Sequence, residues 1–336
     1  MNFEFSEEQH LLRDQARAFL AEFCPTDTVR AVLDSDNEWD QSLWERVAEM
    51  GWTATVIPEA YGGLGLGHYE LAILAEEMGR SVAPLPFSSS VYLASEAIVA
   101  FGSEGQKSEW LPKLASGECV GTVAMWERPG ALALEQLATR RLGDTVSGVK
   151  SPVPDAGVAD VVVVLAHSDA GLEACLVPMD QAGVERQAVI TLDASRGHST
   201  LTLDNAQAEV LGHNTIEPSA WERLIDGAAV MFAWEQLGVA ESALTQARDY
   251  ALQRFAFGRA IGSYQAIKHK LAAMYVKNTL ARSNAYYGVW ALAEDSADLL
   301  TYFEILLQYV ECSCETNLLT ALALLEHPYV LYDCSI

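Results

Sequence analysis

The segment RFAFGRAIGSYQAIKHKLA, residues 254–272, combines side-chain types that can hold an anionic ligand. Its glycines and aromatic residues lie between two long helical patterns, so its cations sit at an elbow of the chain. An arginine guanidinium offers a planar fork of donors that matches phosphate or carboxylate oxygens. This elbow is therefore the first candidate for an anion site, through the basic residues Arg254, Arg259, Lys268 and Lys270.

The overall charge of the chain excludes one large class of anionic partner. The formal net charge is −25, whereas binding to DNA or RNA requires a cationic surface. We therefore expect no nucleic acid as a main ligand. Half of the 336 residues are hydrophobic and a fifth are charged, which is typical of a folded globular protein. The length predicts two or three folding units.

The start of the chain and its cysteines predict a cytoplasmic protein without a metal. Residues 1–20 lack the basic start, apolar core and cleavage site of a secretory signal, so we expect the mature chain to begin here. No run approaches the roughly 18 to 20 apolar residues that span a bilayer. Only Cys312 and Cys314 of the six cysteines lie close together. One C-x-C pair is weak evidence for a metal site, so we expect buried or incidental thiols.

Residues 1–116 predict an N-terminal helical domain. Ser6 and Gln9 have the spacing of a capping box, which opens a helix. The stretches DQSLWERVAEMGW and HYELAILAEEMGRS repeat the helical pattern, and each has a glycine near its last turn, where helices often end. The glycine-rich loop between them permits positive φ angles or a close approach of two backbones.

The pattern then changes twice, which predicts a multidomain α+β fold. Residues 117–214 contain short β-rich runs separated by Gly, Asp and Pro, as in a small β-barrel or sandwich. The runs are CVGTVAM, DTVSGVK, ADVVVVLA, EACLVPM and STLTLDNAQAEVLG. Residues 215–336 return to helix. A second capping box at Ser219 and Glu222 begins a helical pattern that continues to about Phe255. Such a long helix needs neighbours, so we expect a helical bundle, incomplete after about residue 298.

Three stretches in this order resemble the acyl-CoA dehydrogenase family. They are PEAYGGLGLGHYELAILAEEMGRS at 58–81, GSEGQKSEWLPKLASGE at 102–118, and the long helix, elbow and second helix at 222–274. The resemblance extends from residue 1 to about residue 295. It implies a three-domain flavoprotein in which a helical, a β and a second helical domain follow one another.

The resemblance also implies an activity. Enzymes of this family remove two hydrogens from the α and β carbons of a coenzyme A thioester. A side-chain carboxylate takes the α proton and FAD N5 takes the β hydride. An electron-transfer flavoprotein or a similar acceptor is implied as the redox partner. The adenosine end of FAD crosses into a neighbouring subunit, which implies a homo- or hetero-oligomer.

On the elbow, the resemblance gives three residues a role toward FAD. It implies that Arg254 contacts the diphosphate, that Phe257 packs on the cofactor, and that Gln265 forms a hydrogen bond near it. The residues alone leave other roles open. Arg254 is equally suited to a helix C-terminus, where the helix dipole stabilises a cation. Phe257 is also suited to core packing.

In the β region the chain departs from the family pattern. Where the family has Thr-Glu-Pro followed by Gly-Ser, this chain has AMWERPGALAL, which puts Met125 and Trp126 at the flavin edge and Leu132 at the serine position. Trp126 is suited both to stacking on a flavin and to core packing. Pro152 and Pro154 replace a usual aromatic residue and threonine and cannot donate backbone hydrogen bonds. We therefore expect a reshaped isoalloxazine side.

The catalytic base is the second departure. One branch of the family places its glutamate early in the first long helix, where this chain has Ala228. The Tyr-Glu-Gly-Thr loop of the more common branch is absent from the sequence. Glu235 lies two helical turns from Ala228 on the same face and is a weak candidate. A solvated or interface glutamate is the favoured alternative, so the base stays unassigned.

The end of the chain is the third departure. Residues 301–336 contain no glycine, although the family has a Gln-x-x-Gly-Gly-x-Gly flavin turn in this region. Truncation, a change of reading frame and divergence each account for such a tail. Three functions stay open: a dehydrogenase subunit, including one half of a heteromeric pair acting on steroid-like thioesters, a catalytically silent homologue, and a related flavin oxidase or monooxygenase.

Overall fold

The structure is a computed structural model that describes residues 5–35, 37–128, 132, 134–191, 193–212 and 215–296. The chain divides into two compact units. The first contains residues 1–22, 68–83 and 229–336, and the second contains residues 23–67 and 84–228. The three domain ranges predicted from the sequence stay a prediction.

The helical pattern of the sequence is confirmed in both helical regions. The helices are α1 (Glu7–Phe23), α2 (Thr26–Leu33), α3 (Gln41–Glu49), α4 (His68–Ser81), α5 (Glu96–Phe101), α6 (Glu104–Ala115), α7 (Pro218–Gln253) and α8 (Gln265–Ala293), with a π-helix at Ser88–Ser95.

Of the two capping boxes predicted at helix starts, the structure contains the first and not the second. Ser6 and Gln9 form the predicted capping box at the start of α1, since each backbone N–H donates to the other side chain. The predicted capping box at Ser219 and Glu222 is wrong. Helix α7 begins one residue earlier, at Pro218. A proline suits the first helical position because the N–H it lacks would have no partner within the helix.

Two glycines let α4 and α7 touch through their backbones in the first unit. A Cβ on Gly79 would lie 2.0 Å from the carbonyl oxygen of Glu235, and one on Gly238 would lie 1.9 Å from the carbonyl oxygen of Glu76. As predicted, Gly79 lies near the last turn of α4, which ends at Ser81, and its lack of a Cβ allows the contact with α7. The corresponding glycine after α3, Gly51, does have the left-handed φ of 78° that ends a helix.

Buried ion pairs join the helices of the first unit. The Glu76 side chain is only 1% exposed, and its Oε1 lies 2.7 Å from Nη2 of Arg282 on α8 and 3.1 Å from Nη2 of Arg80. Arg80 also pairs with Glu241 of α7 at 2.7 Å. Burial by itself would raise the pKa of Glu76, but the two guanidiniums outweigh it and leave the pKa below its usual value. The carboxylate is therefore charged and held by its partners.

The second unit is built on one curled sheet. Its strands are β1 (Gly121–Ala124), β2 (Arg140–Leu142), β3 (Thr145–Pro154), β4 (Val161–Ser168), β5 (Gly171–Pro178), β6 (Val184–Ala188), β7 (His198–Gln207) and β8 (Glu209–Val210). They lie in the order β6-β7-β3-β2-β4-β5-β8, and β1 pairs with β4 in parallel. The β-rich runs predicted from the sequence contain most of these strands at least in part, whereas β2 and β6 lie outside them.

A buried carboxyl ties the end of β3 to the start of the π-helix. Ser89 Oγ donates to Asp155 Oδ2 at 2.6 Å, and the Asp155 N–H donates to the carbonyl oxygen of Gly197 at 2.8 Å. Burial raises the pKa of Asp155 to about 6, although its Ser89 hydrogen bond and the charge of Arg196 act in the opposite direction. This group therefore titrates in a mildly acidic range.

The described residues contain neither a membrane-spanning helix nor a cluster of metal ligands. None of the helices among these residues has the length and apolar character needed to cross a membrane. These residues also contain no cluster of three or more His, Cys, Asp or Glu that could hold a metal ion. Three cysteines there are buried and form no disulfide: Cys24, Cys119 and Cys175. Cys312 and Cys314 lie outside the described residues, as does the glycine-free tail.

Candidate functional site

The elbow after α7 is a small β-hairpin in the first unit. Strands β9 (Phe255–Ala256) and β10 (Arg259–Ala260) pair around a two-residue turn. Phe257 and Gly258 form that turn with φ angles of 53° and 80°. Two consecutive positive φ angles correspond to a type I′ turn, in which a phenylalanine is uncommon at the first position. The turn leaves the Phe257 side chain 96% exposed.

Contacts within the hairpin fix its shape. The Tyr264 hydroxyl donates to the carbonyl oxygen of Ala256 at 2.8 Å, and the Arg259 guanidinium lies 4.0 Å from the centre of the Tyr264 ring. The Ile261 N–H donates to the carbonyl oxygen of Arg254 at 2.8 Å, and the Arg254 N–H donates to that of Tyr250. The backbone that carries Arg254 is therefore held on both sides.

The predicted elbow residues come together on this hairpin and the start of α8. Gln265 is the first residue of α8, with its Nε2 3.5 Å from Nε2 of His269. Arg254, Phe257 and Gln265 are all exposed. This donor set fits FAD, because guanidinium forks match a diphosphate and an exposed aromatic ring can pack on a planar heterocycle. The basic residues of the same stretch, Arg259, Lys268 and Lys270, add further positive charge.

The predicted flavin edge lies in the second unit, just after β1. The Met125 side chain is fully buried, whereas Trp126 is partly exposed. The carbonyl oxygen of Trp126 accepts a 2.8 Å hydrogen bond from the Ser151 N–H of β3. Within this edge, the partly exposed indole of Trp126 is therefore better placed than Met125 to meet a cofactor.

Two charged residues that the sequence did not single out surround this edge. Lys150 of β3 is fully buried, and its Nζ lies 3.2 Å from Oε1 of Glu127 and 3.3 Å from the carbonyl oxygen of Met125. Burial lowers the pKa of Lys150 to about 8, although Glu127 acts to raise it. A lysine within a β-rich pattern gives no sign that it is buried, so only the structure reveals this pair.

Glu127 in turn accepts three hydrogen bonds from the two residues that precede β2. The Ala138 N–H donates to Oε2 at 2.7 Å, while the N–H and hydroxyl of Thr139 donate to Oε1 at 2.8 and 2.6 Å. Burial would raise the pKa of Glu127, but these donors and the Lys150 charge lower it to about 2. Glu127 is therefore a carboxylate over the ordinary pH range.

The candidate base positions lie along α7. Ala228 is 4% exposed and offers no proton acceptor in its side chain. Glu235 is 6% exposed, and its backbone carbonyl is the one that approaches Gly79. Asp226, also largely buried, has its pKa raised by burial first and by Glu222 second. The predicted weak candidate, Glu235, is thus a buried carboxyl whose role stays open.

Comparison with models of known protein families gives evidence that does not depend on the motifs quoted above. A family model described as the acyl-CoA dehydrogenase N-terminal domain matches residues 6–118, and one described as the acyl-CoA dehydrogenase C-terminal domain matches residues 220–306. Together they account for more than half of the chain.

Individual relatives agree with these matches. The acyl-CoA dehydrogenase IpdE2 of Mycobacterium tuberculosis is 31% identical over 278 residues, which cover 82% of this chain and 74% of that protein. The probable acyl-CoA dehydrogenase YngJ of Bacillus subtilis is 28% identical, covering 86% of this chain and 80% of its own. A solved variant of the Tcur3481–Tcur3483 steroid ACAD is 29% identical with a TM-score of 0.84, covering 95% of this chain and 87% of its own.

Proposed function

Because the chain belongs to the acyl-CoA dehydrogenase family, whose members are FAD-dependent oxidoreductases acting on CH–CH groups, we propose that it is one subunit of a hetero-oligomeric acyl-CoA dehydrogenase. In this proposal the chain supplies one part of the FAD site, and the catalytic carboxylate comes from the other subunit. The observation that carries the proposal is the hairpin, which holds Phe257 96% exposed at a positive φ beside the anchored backbone of Arg254.

Each elbow residue has a distinct part in holding the cofactor. The Arg254 guanidinium pairs with the FAD diphosphate, since its donors match phosphate oxygens in pairs. The Phe257 ring covers apolar cofactor surface that would otherwise meet water. Gln265 donates or accepts a hydrogen bond at the start of α8. When bound, FAD accepts the hydride that leaves the β carbon of the thioester.

The missing base supports the heteromeric arrangement. Proton removal from the α carbon requires a positioned side-chain acceptor, and alanine occupies position 228. Glu235, the other candidate on α7, is 6% exposed. The relative Tcur3481–Tcur3483 is named for two gene products and described as a steroid ACAD, which supports a paired arrangement and a bulky steroid-like acyl group here. An electron-transfer flavoprotein as acceptor and a cytoplasmic location belong to the same proposal.

The test of the shared site is the visible spectrum of the purified protein. The chain is purified alone and together with a family member encoded next to it, and flavin absorbance is recorded for both. We expect FAD to be retained fully only in the complex, which should oxidise an acyl-CoA when an electron acceptor is present. Colourless protein in both preparations would contradict the proposal and favour the catalytically silent homologue. Hydrogen peroxide formation without an added acceptor would favour the flavin oxidase.

Arg254→Ala tests the cofactor contact. Loss of charge-assisted hydrogen bonds to phosphate, worth about 1.5 to 3 kcal/mol, should weaken FAD binding about tenfold or more. Arg248→Ala is the matched control, because Arg248 is an exposed arginine near the end of α7, shortly before Arg254, and pairs with its neighbour Asp249. Equal FAD affinity in the two variants would remove Arg254 from the site.

Glu235→Gln tests the alternative source of the base. If the carboxylate comes from the other subunit, the variant complex should keep its turnover rate, and Glu222→Gln provides the exposed control on the same helix. A loss of turnover of a hundredfold or more in Glu235→Gln alone, the size expected for a general base, would instead assign the base to this chain.

A further inference from the structure

The strongest unassigned feature is the buried charge pair behind the predicted flavin edge. Three bonds hold the Met125–Glu127 segment against the sheet. Lys150 Nζ donates to the Met125 carbonyl oxygen at 3.3 Å, the Ser151 N–H donates to the Trp126 carbonyl oxygen at 2.8 Å, and Lys150 Nζ contacts Glu127 Oε1 at 3.2 Å. Two of the three come from one ammonium group.

We propose that Lys150 and Glu127 are positioning residues for the flavin edge, and that the protonated Lys150 ammonium holds Trp126 in the orientation that meets the cofactor. The inference rests on the proposed FAD site and adds to it a control by proton concentration. Neither side chain needs to touch the flavin. Lys150 is fully buried in the sheet, and the carboxylate oxygens of Glu127 accept hydrogen bonds from Lys150, Ala138 and Thr139.

The geometry explains why the charge on Lys150 matters. A carbonyl oxygen and a carboxylate oxygen face the same Nζ, and both are acceptors. A neutral amine has fewer N–H donors and loses the attraction of the Glu127 carboxylate, so its hold on both acceptors weakens. The anchors at either side of Trp126 then loosen together, because Glu127 also fixes the start of β2 through Ala138 and Thr139.

The titration of Lys150 follows from its surroundings. The groups that act on its charge are Glu127 and the thiol of Cys175 on β5. Burial raises the pKa of Cys175 to about 12, so this thiol stays neutral, and Glu127 is already ionised. Since burial lowers the pKa of Lys150 to about 8, the holding charge is present at pH 7 and mostly lost at pH 9.

The first measurement is FAD affinity against pH for the full chain in its flavin-binding form. If only the protonated form holds the edge, the competent fraction falls about tenfold between pH 7 and pH 9, and the apparent Kd rises by the same factor. Lys150→Met should bind FAD weakly with a flat profile. Glu127→Gln should shift the midpoint to lower pH, because the charge that favours protonated Lys150 is gone.

The matched control is Lys113→Met, since Lys113 is a lysine of the same unit whose side chain is 43% exposed and lies 3.8 Å from Glu109. This variant should reproduce the parent profile. A parent Kd that stays constant from pH 7 to pH 9 would overturn the proposal. A Lys150→Met variant that folds and binds FAD like the parent would overturn it as well. Such a variant would show that Lys150 affects the stability of the protein and not the dependence of FAD affinity on pH.

A measurement without FAD separates this inference from the proposed function. Hydrogen exchange at pH 7, followed on peptides that cover residues 134–142 and 147–155, reports the amides of Ala138, Thr139 and Ser151. Lys150→Met should speed exchange there and leave β4, residues 161–168, unchanged. Unchanged exchange in both peptides, or equal acceleration in β4, overturns the positioning role. If exchange responds locally but no form binds FAD at any pH, the proposed FAD site fails, while the hold of Lys150 on the Met125–Glu127 segment stands.

Discussion

The backbone contact between α4 and α7 at Gly238 gives a sharp test of packing in the first unit. Helices α4 and α7 approach each other at Gly238, where a Cβ would lie 1.9 Å from the carbonyl oxygen of Glu76 and 2.8 Å from the backbone nitrogen of Arg80. Gly238→Ala places a methyl group there. Neither obstacle is the far end of a flexible side chain, so the helices themselves must move apart.

The expected cost follows from that displacement. Ordinary contact begins at about 3.4 Å, so the two backbones must separate by roughly 1.5 Å. Overpacking of a tight interior costs about 1 to 3 kcal/mol, and a rigid backbone obstacle puts this site at the upper end. Alanine recovers up to about 1 kcal/mol through its better helix propensity. The net loss is about 2 kcal/mol or more, which lowers Tm by at least about 3 °C for a chain of 336 residues.

The assay is thermal unfolding of Gly238→Ala beside Gly105→Ala. Gly105 lies in α6, and a Cβ there would meet nothing closer than the Ser103 hydroxyl at 3.9 Å. The control should therefore be neutral or stabilised by up to about 1 kcal/mol. A Gly238→Ala protein that melts at or above the parent temperature would refute the backbone contact between α4 and α7.

Three further outcomes are expected. Glu76→Gln should lower the free energy of unfolding, measured in urea, by about 3 to 5 kcal/mol, because it removes one partner of a buried pair. Glu109→Gln, which removes one partner of an exposed pair, should lower it by under about 1 kcal/mol. Equal losses in the two variants would contradict this expectation. Burial raises the pKa of Asp155 from 3.8 to about 6, so the folded state binds this proton more tightly and the free energy of unfolding should fall by roughly 3 kcal/mol as pH rises from about 4 to 6. Asp155→Asn, which keeps an acceptor for Ser89, should lose that share of the slope, and an unchanged slope would assign it elsewhere. Native protein at pH 8 should resist iodoacetamide at the thiols whose pKa burial raises to about 11 or 12, checked by peptide mass spectrometry; they are Cys24, Cys119 and Cys175.

Several features of the fold could be predicted because they depend on neighbouring residues. The local sequence pattern predicts the capping box at Ser6, the long helix α7 and the alternation of β-rich runs with turn residues. The elbow could also be located, since its glycines and aromatic residues interrupt a helical period. The strands β2 (RRL) and β6 (VERQA) could not, because they are rich in charged residues, are mostly exposed and lack the alternating apolar pattern of a half-buried strand.

The candidate site divides in the same way. The sequence by itself determined the family, the FAD chemistry that the family brings and the absence of a glutamate at position 228, since each depends on which residue stands where in the chain. Only the tertiary structure decided that Gly79 contacts α7, that Phe257 is exposed, and that Lys150 is buried against Glu127. Burial and charge pairing depend on contacts between residues far apart in the chain, so they cannot be predicted from the local sequence pattern.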